Sequence, residues 1–206
     1  MLMNRLTKKI LITILFTLCI FLFIYLTKLL LLDEVKVFDD FVFKYVSKIR
    51  SNPLTIIFKF FSFLCNVWFI FILTIIMLVS KNRKITFYIV LNLLLCFVLN
   101  QSLKFIFART RPEDINLIIE SGYSFPSGHS MVSLAYYGFF IYLIFKTNMK
   151  SNIKILYTVL LSLLVFLIGL SRIYLGVHYA SDVLAGYALS LAYLILFIQF
   201  FYKKKK

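Results

Sequence analysis

Long apolar runs alternate with short polar stretches along this chain. The first runs from Ile10 to about Leu26 and continues past Lys28 to Leu32. Others cover about Leu54–Val79, Ile85–Leu103, His129–Phe145, Ile155–Leu170 and Val183–Tyr202. An α-helix needs roughly 20 apolar residues to cross a bilayer, so six transmembrane spans are predicted. Between the first two spans the pattern changes. Phe38, Phe41, Val42, Tyr45, Val46 and Ile49 recur at helical spacing, while Asp39, Asp40, Lys44 and Lys48 fall elsewhere. This stretch, about residues 34–50, is too polar to cross and predicts an amphipathic helix along the membrane interface, ended by Asn52-Pro53. The other polar segments are a loop from Lys104 to Ser127, short basic turns near Lys81–Lys84 and Lys146–Lys154, an island from Ser171 to Asp182, and the Lys203–Lys206 tail. The expected fold is all-α: a six-helix integral membrane bundle, one domain over residues 1–206, without internal repeat or linker.

Composition agrees. Hydrophobic residues make up 62% of the chain and charged ones 15%, more apolar surface than a soluble domain of this size carries. The formal charge of +15 raises the question of nucleic acid. The basic residues lie in short clusters between apolar runs rather than on one reading face, so no nucleic-acid partner is expected. Membrane lipids and topology account for the charge. Six spans put both termini on one side, with Arg5, Lys8, Lys9, Lys81, Arg83, Lys84, Lys146, Lys150, Lys154 and the lysine tail, and no acidic residue. The positive-inside rule then predicts cytoplasmic termini, with the polar loops on the outer face of what reads as a bacterial plasma membrane. The basic stretch ahead of Ile10 reads as the start of an uncleaved span, since no small-residue cleavage site follows. Cys19, Cys65 and Cys96 each sit inside an apolar run and read as packing residues.

Candidate chemistry lies in the outer polar segments. His178 and Asp182 stand four apart, so a helix covering both would put them on one face. A carboxylate there holds one imidazole nitrogen and leaves the other lone pair outward, as an imidazole nucleophile requires. Taken alone, the pair reads equally well as a helix cap with an i,i+4 hydrogen bond. Arg172, just upstream, is a planar cation suited to phosphate oxygens. Two further stretches join it: Lys104-Phe-Ile-Phe-Ala-Arg-Thr-Arg111-Pro112 and Ser124-Phe-Pro126-Ser127-Gly128-His129. The chain has two histidines, and both lie in these segments. Lys104, Arg111 and Arg172 offer three cations, each worth about 3–4 kcal/mol to a phosphoryl transition state by analogy with oxyanion-hole donors. Ser127 and Gly128 begin the fourth span, where a helix start presents free N–H groups to an anion, and Pro126 suits such a start. Arg109 reads as a headgroup contact or solvated residue. Glu113, Asp114 and Glu120 read as loop surface, and Gly176 and Gly186 as turn and close-packing positions.

Together the three stretches resemble the tripartite signature of the type 2 phosphatidic acid phosphatase superfamily. That signature is Lys, six residues, Arg-Pro; then Pro-Ser-Gly-His; then Ser-Arg, five residues, His, three residues, Asp. The motifs span residues 104–182, and the six-span layout extends the likeness to most of the chain. The resemblance implies a membrane lipid phosphatase in which His178 attacks phosphorus and forms a phosphohistidine, oriented by Asp182. His129 would protonate the leaving oxygen and then activate water, while Lys104, Arg111, Ser127, Gly128 and Arg172 bind the phosphate. It implies no metal and no cofactor, and the sequence holds no acidic cluster suited to magnesium or calcium. The expected partners are membrane lipids and a lipid phosphate of the undecaprenyl diphosphate or phosphatidylglycerophosphate type. Phosphatidate, a sugar phosphate, or a non-catalytic lipid-binding or transport role are the alternatives.

Overall fold

A computed structural model describes residues 5–79, 83–112 and 115–202. Lys81, Glu113, Asp114 and the Lys203–Lys206 tail lie outside the described residues. Within them the elements are helical: α1 (Arg5–Leu31), α2 (Lys36–Lys48), α3 (Asn52–Phe63), α4 (Val67–Val79), α5 (Arg83–Phe107), α6 (Gly128–Phe145), α7 (Ser151–Tyr174) and α8 (Ala180–Phe197), followed by a π-helical turn over Ile198–Tyr202. Five helices are long and apolar enough to cross a bilayer, and the count reaches six if α3 and α4 form one bent span. Large apolar side chains such as Leu18, Phe21, Phe97, Leu163 and Phe166 point outward, as lipid-facing residues do. The chain is an integral membrane protein.

The expected second span is broken: α3 and α4 meet at 46°. A break inside the bilayer must have its freed backbone groups satisfied. Asn66 does this on one side, its Oδ1 accepting the Trp68 N–H at 2.9 Å as an N-cap. On the other, the Tyr137 hydroxyl donates to the Leu64 carbonyl at 2.7 Å. The predicted amphipathic helix forms as α2, but its inward face differs from the apolar stripe expected. Val35, Asp39 and Val46 are buried, whereas Phe38, Phe41, Tyr45 and Ile49 are exposed.

Polar side chains join the central helices where hydrocarbon offers no alternative partner. Asn92 of α5 donates to the Ala135 carbonyl of α6 at 2.7 Å and accepts, at its own carbonyl, the Tyr193 hydroxyl of α8 at 2.8 Å. Ser190 of α8 donates to the Met131 carbonyl at 2.7 Å. Far from the loops, an aromatic cluster of Tyr88, Phe139, Tyr142, Phe197 and Tyr202 packs largely edge to face. The result for function is one of placement. The C-terminal ends of α5 and α7 and the N-terminal ends of α6 and α8 lie together, and all three sequence motifs lie at that end.

Candidate active site

The turn after α7 is the least regular piece of backbone at this end. Gly176 has φ 72°, and a Cβ there would lie 2.3 Å from the Ile115 carbonyl oxygen, so only glycine fits. Arg50, from the α2–α3 connection, secures the turn. Its Nε and Nη2 donate to the Tyr174 carbonyl at 3.0 and 2.7 Å, and Nη1 donates to Ile115 O at 2.8 Å. A cation on the terminal carbonyls of α7 also suits the negative end of the helix dipole. The Val177 and His178 N–H groups fold back on the Arg172 carbonyl at 3.2 and 3.3 Å.

α8 starts at Ala180, so His178 and Asp182 do not share a helix as their spacing suggested. Asp182 sits in the first turn and reaches back. Its Oδ2 accepts the Tyr179 N–H at 3.0 Å and lies 3.3 Å from His178 Nδ1. On the other side of the ring, Arg111 Nη1 lies 3.1 Å from Nε2. A guanidinium can only donate, so Nε2 must be the accepting nitrogen and Nδ1 the one that carries hydrogen and donates to Asp182. The network thereby assigns a single tautomer, with the basic lone pair on Nε2. His178 is 3% exposed. Burial, reinforced by Arg111, Arg172 and Lys104, holds its pKa well below the usual imidazole value.

The second histidine stands in the first turn of α6. Ser127 is the N-cap by position, but its hydroxyl makes no capping bond. Pro126 precedes it in a cis peptide with Phe125, two places before the first helical residue, where proline is favoured. Gly186 of α8 allows close contact: a Cβ there would lie 2.9 Å from Ser127 O. The Ser127 N–H donates to the Asp182 carbonyl at 3.0 Å, tying the starts of α6 and α8 together. Asn100 of α5, unmarked in the motifs, donates to the Pro126 carbonyl at 3.1 Å. His129 is within electrostatic reach of Arg172, His178, Lys104 and Arg111, so both imidazoles share one cationic pocket.

Each motif cation is already oriented. Lys104 Nζ donates to Tyr123 O at 2.7 Å. Arg111 donates through Nε to Gly122 O at 3.0 Å, Nη2 to Ser121 O at 3.1 Å and Nη1 to Val177 O at 2.8 Å. Arg172, 1% exposed, donates from Nη2 to Glu120 Oε1 at 2.6 Å and from Nη1 to the Ser62 hydroxyl. Its Nε and the Ser127 hydroxyl are buried polar atoms without a partner among the described residues, the kind of donors an anion would satisfy. A cavity of about 580 Å³ opens at the same end of the bundle, lined by residues including Arg111, Glu120, Tyr123 and Val177. The structure thus brings Lys104, Arg111, Ser127, Gly128, His129, Arg172, His178 and Asp182 to one end of the bundle. Among the described residues no group of three or more His, Cys, Asp or Glu side chains is placed to hold a metal ion.

Arg109 and Glu120, outside the three motifs' signature positions, both have ion-pair partners at the site. Arg109 bridges two carboxylates, Nη1 to Asp182 Oδ1 at 2.6 Å and Nη2 to Asp39 Oδ2 at 2.7 Å, with its guanidinium 3.9 Å over the Tyr179 ring. Glu120, half-buried, pairs with Arg172 while keeping one side to solvent. Asp39 was absent from any expectation of the site. The signal for it is its place in the stripe Val35, Asp39, Val42, Val46, where a carboxylate interrupts apolar residues at i, i+4, i+7 and i+11.

Comparison with known proteins bears on the family and the fold. The family model of the PAP2 superfamily matches residues 84–206. The chain is 40% identical over 96 residues to phosphatidylglycerophosphatase B of Bacillus subtilis, covering 46% of this chain and 47% of the relative. It is 29% identical over 129 residues to an undecaprenyl-diphosphatase of Sulfolobus acidocaldarius, covering 60% and 58%. The chain spans about half the length of the curated relatives it matches. Among solved structures, the transmembrane PAP2-type phosphatidylglycerolphosphate phosphatase of Bacillus subtilis superposes with a TM-score of 0.80 at 29% identity, covering 91% of this chain and 96% of that one. Aquifex aeolicus LpxE does so with a TM-score of 0.62 at 30% identity, covering 77% and 93%.

Proposed function

This chain belongs to the PAP2 superfamily, and from that premise we propose that it is a membrane lipid phosphatase acting through a phosphohistidine. One observation carries the reading: His178 is held at Nδ1 by Asp182 and presents its Nε2 lone pair among Arg111, Arg172 and Lys104. A nucleophilic imidazole needs that tautomer, and a phosphoryl group needs that charge.

In the first half-reaction the phosphate draws the Arg111 N–H away from Nε2 and takes donors from Lys104, Arg172, Ser127 and the start of α6. Nε2 attacks phosphorus as the bond to the leaving oxygen breaks. His129, protonated once the bound phosphate offsets the cations around it, gives its proton to that oxygen, releasing a lipid alcohol or, from a diphosphate, a lipid monophosphate. The phosphoryl group is now on His178 Nε2, with Nδ1–H still on Asp182. In the second half, neutral His129 takes a proton from water as the water oxygen attacks phosphorus. The P–N bond breaks, inorganic phosphate leaves, and both histidines return to their starting states.

The substrate class follows from placement. A site at the end of a helical bundle suits a phosphate or diphosphate whose apolar tail stays in the bilayer. The names of the relatives favour the phosphatidylglycerophosphate and undecaprenyl diphosphate types. Basic residues such as Arg83, Lys84, Lys146 and Lys150 lie at the opposite end, supporting a site on the outer face of a bacterial plasma membrane, cytoplasmic termini and an interfacial α2. The test is phosphate release by the purified protein in detergent from undecaprenyl diphosphate, phosphatidylglycerophosphate, phosphatidate and a water-soluble ester. Turnover of a lipid phosphate, with an acid-labile, base-stable phosphoenzyme trapped on His178, is expected. No release from any lipid phosphate would overturn the assignment.

A further inference from the structure

Between α2 and the nucleophile lies a chain of buried ion pairs that the three motifs do not include. Asp39 is 3% exposed on a helix whose neighbouring side chains face outward. Its Oδ1 accepts the Ser181 N–H at 2.8 Å, and its Oδ2 accepts the Ser181 hydroxyl at 2.7 Å and Arg109 Nη2 at 2.7 Å. The other nitrogen of Arg109 donates to Ser181 Oγ at 2.8 Å and to Asp182 Oδ1 at 2.6 Å. Asp182 divides its two oxygens: Oδ1 accepts from Arg109, and Oδ2 from the Tyr179 N–H and His178 Nδ1, with the Ser124 side chain also against the carboxylate.

We propose that Arg109 and Asp39 are positioning residues for the proposed reaction, acting on His178 through Asp182. The inference rests on the phosphohistidine reading above. Two effects follow from the geometry. First, a carboxylate held at one oxygen by a rigid fork cannot rotate away from the imidazole. Second, charge is conserved for catalysis. A lone Arg109 would neutralise Asp182 and remove the negative charge that supports the imidazole as it becomes positively charged on attack. Asp39 takes half of the guanidinium, leaving a net charge of −1 on the three groups beside His178. Burying three ions where one would do is costly, which argues against a purely structural tie.

The test uses the full-length protein in detergent with phosphatidylglycerophosphate, comparing Asp39→Asn, Arg109→Gln and Arg109→Lys with wild type. Asp39→Asn keeps the shape and can still bond Ser181, but removes the charge. A positioning role predicts kcat lower by about tenfold or more with KM changed less than about threefold, since phosphate binding is untouched. Arg109→Gln should lose more of kcat. Arg109→Lys should recover only part, because an ammonium cannot fork between two carboxylates. Wild-type kcat in Asp39→Asn, or a loss carried by KM, would overturn the proposal while leaving the phosphatase reading intact. Absence of wild-type turnover on phosphatidylglycerophosphate, undecaprenyl diphosphate and phosphatidate alike would overturn both. Should Arg109→Gln fail to fold, Asp39→Asn decides by itself.

Discussion

The turn after α7 and the start of α6 each present one histidine to the same pocket, yet they hold it differently. Around His178 every neighbour is fixed. Asp182 takes Nδ1, Arg111 faces Nε2, and behind them Arg50, Arg109 and Gly176 fix the backbone and the carboxylate. His129 has a rigid backbone on α6, held by Ser127 and Asn100, but among the described residues its ring accepts and donates no hydrogen bond. The difference follows from the tasks proposed for them. A nucleophile must present one lone pair in one direction throughout the cycle. An acid that becomes a base must exchange protons first with a leaving oxygen and then with water, and fixed partners would compete with both.

The largest effect should come from removing the fixed member. His178→Ala is expected to lower kcat by about 10⁴-fold or more while the melting temperature in detergent holds, and activity within tenfold of wild type would erase the contrast. His129→Gln should cost about 10²–10⁴-fold on a lipid ester. On a p-nitrophenyl ester the loss should shrink, because that leaving oxygen needs little protonation; an equal loss on both would remove His129 from the acid role.

Gly176→Ala sharpens the comparison from the backbone. The left-handed φ and the 2.3 Å approach to Ile115 O predict a destabilisation of about 1–3 kcal/mol, read as a lower melting temperature. Its kcat should fall with it, since the turn carries His178.

The smallest effect concerns pH. Burial, with Arg111 and its neighbours, keeps the folded-state pKa of His178 well below 6.5, whereas the unfolded chain titrates near the ordinary value. Below about 6.5 the unfolded state therefore binds a proton that the folded state refuses, and stability falls as pH drops from there toward the folded pKa. Thermal melts between pH 7.5 and 5 should show this slope, and it should weaken in His178→Gln.

The motifs were legible because each encodes local chemistry: a proline, serine and glycine ahead of a helix, or a histidine followed by a carboxylate one turn on. What lay beyond them was tertiary. Asp39 and Asp182 are 143 positions apart, and no spacing rule connects them. Arg109 looked solvated because its two partners come from other segments, and Glu120 because its partner is the buried end of α7. The break between α3 and α4 was hidden inside a continuous apolar run; Asn66 marked it, since asparagine is a strong N-cap, but hydropathy outweighed that single polar residue. The helical spacing of Phe38, Phe41 and Tyr45 located α2 correctly, yet those residues are exposed while Val35, Asp39 and Val46 are buried. Periodicity does not say which stripe turns inward.

The Arg111 contact with Nε2 has one more consequence, for chemical labelling. While Arg111 holds this position, its guanidinium covers the Nε2 lone pair of His178 and shields the imidazole from small electrophiles. Diethyl pyrocarbonate should therefore acylate His129 first, and the Arg111→Ala protein should gain a second, fast-reacting imidazole.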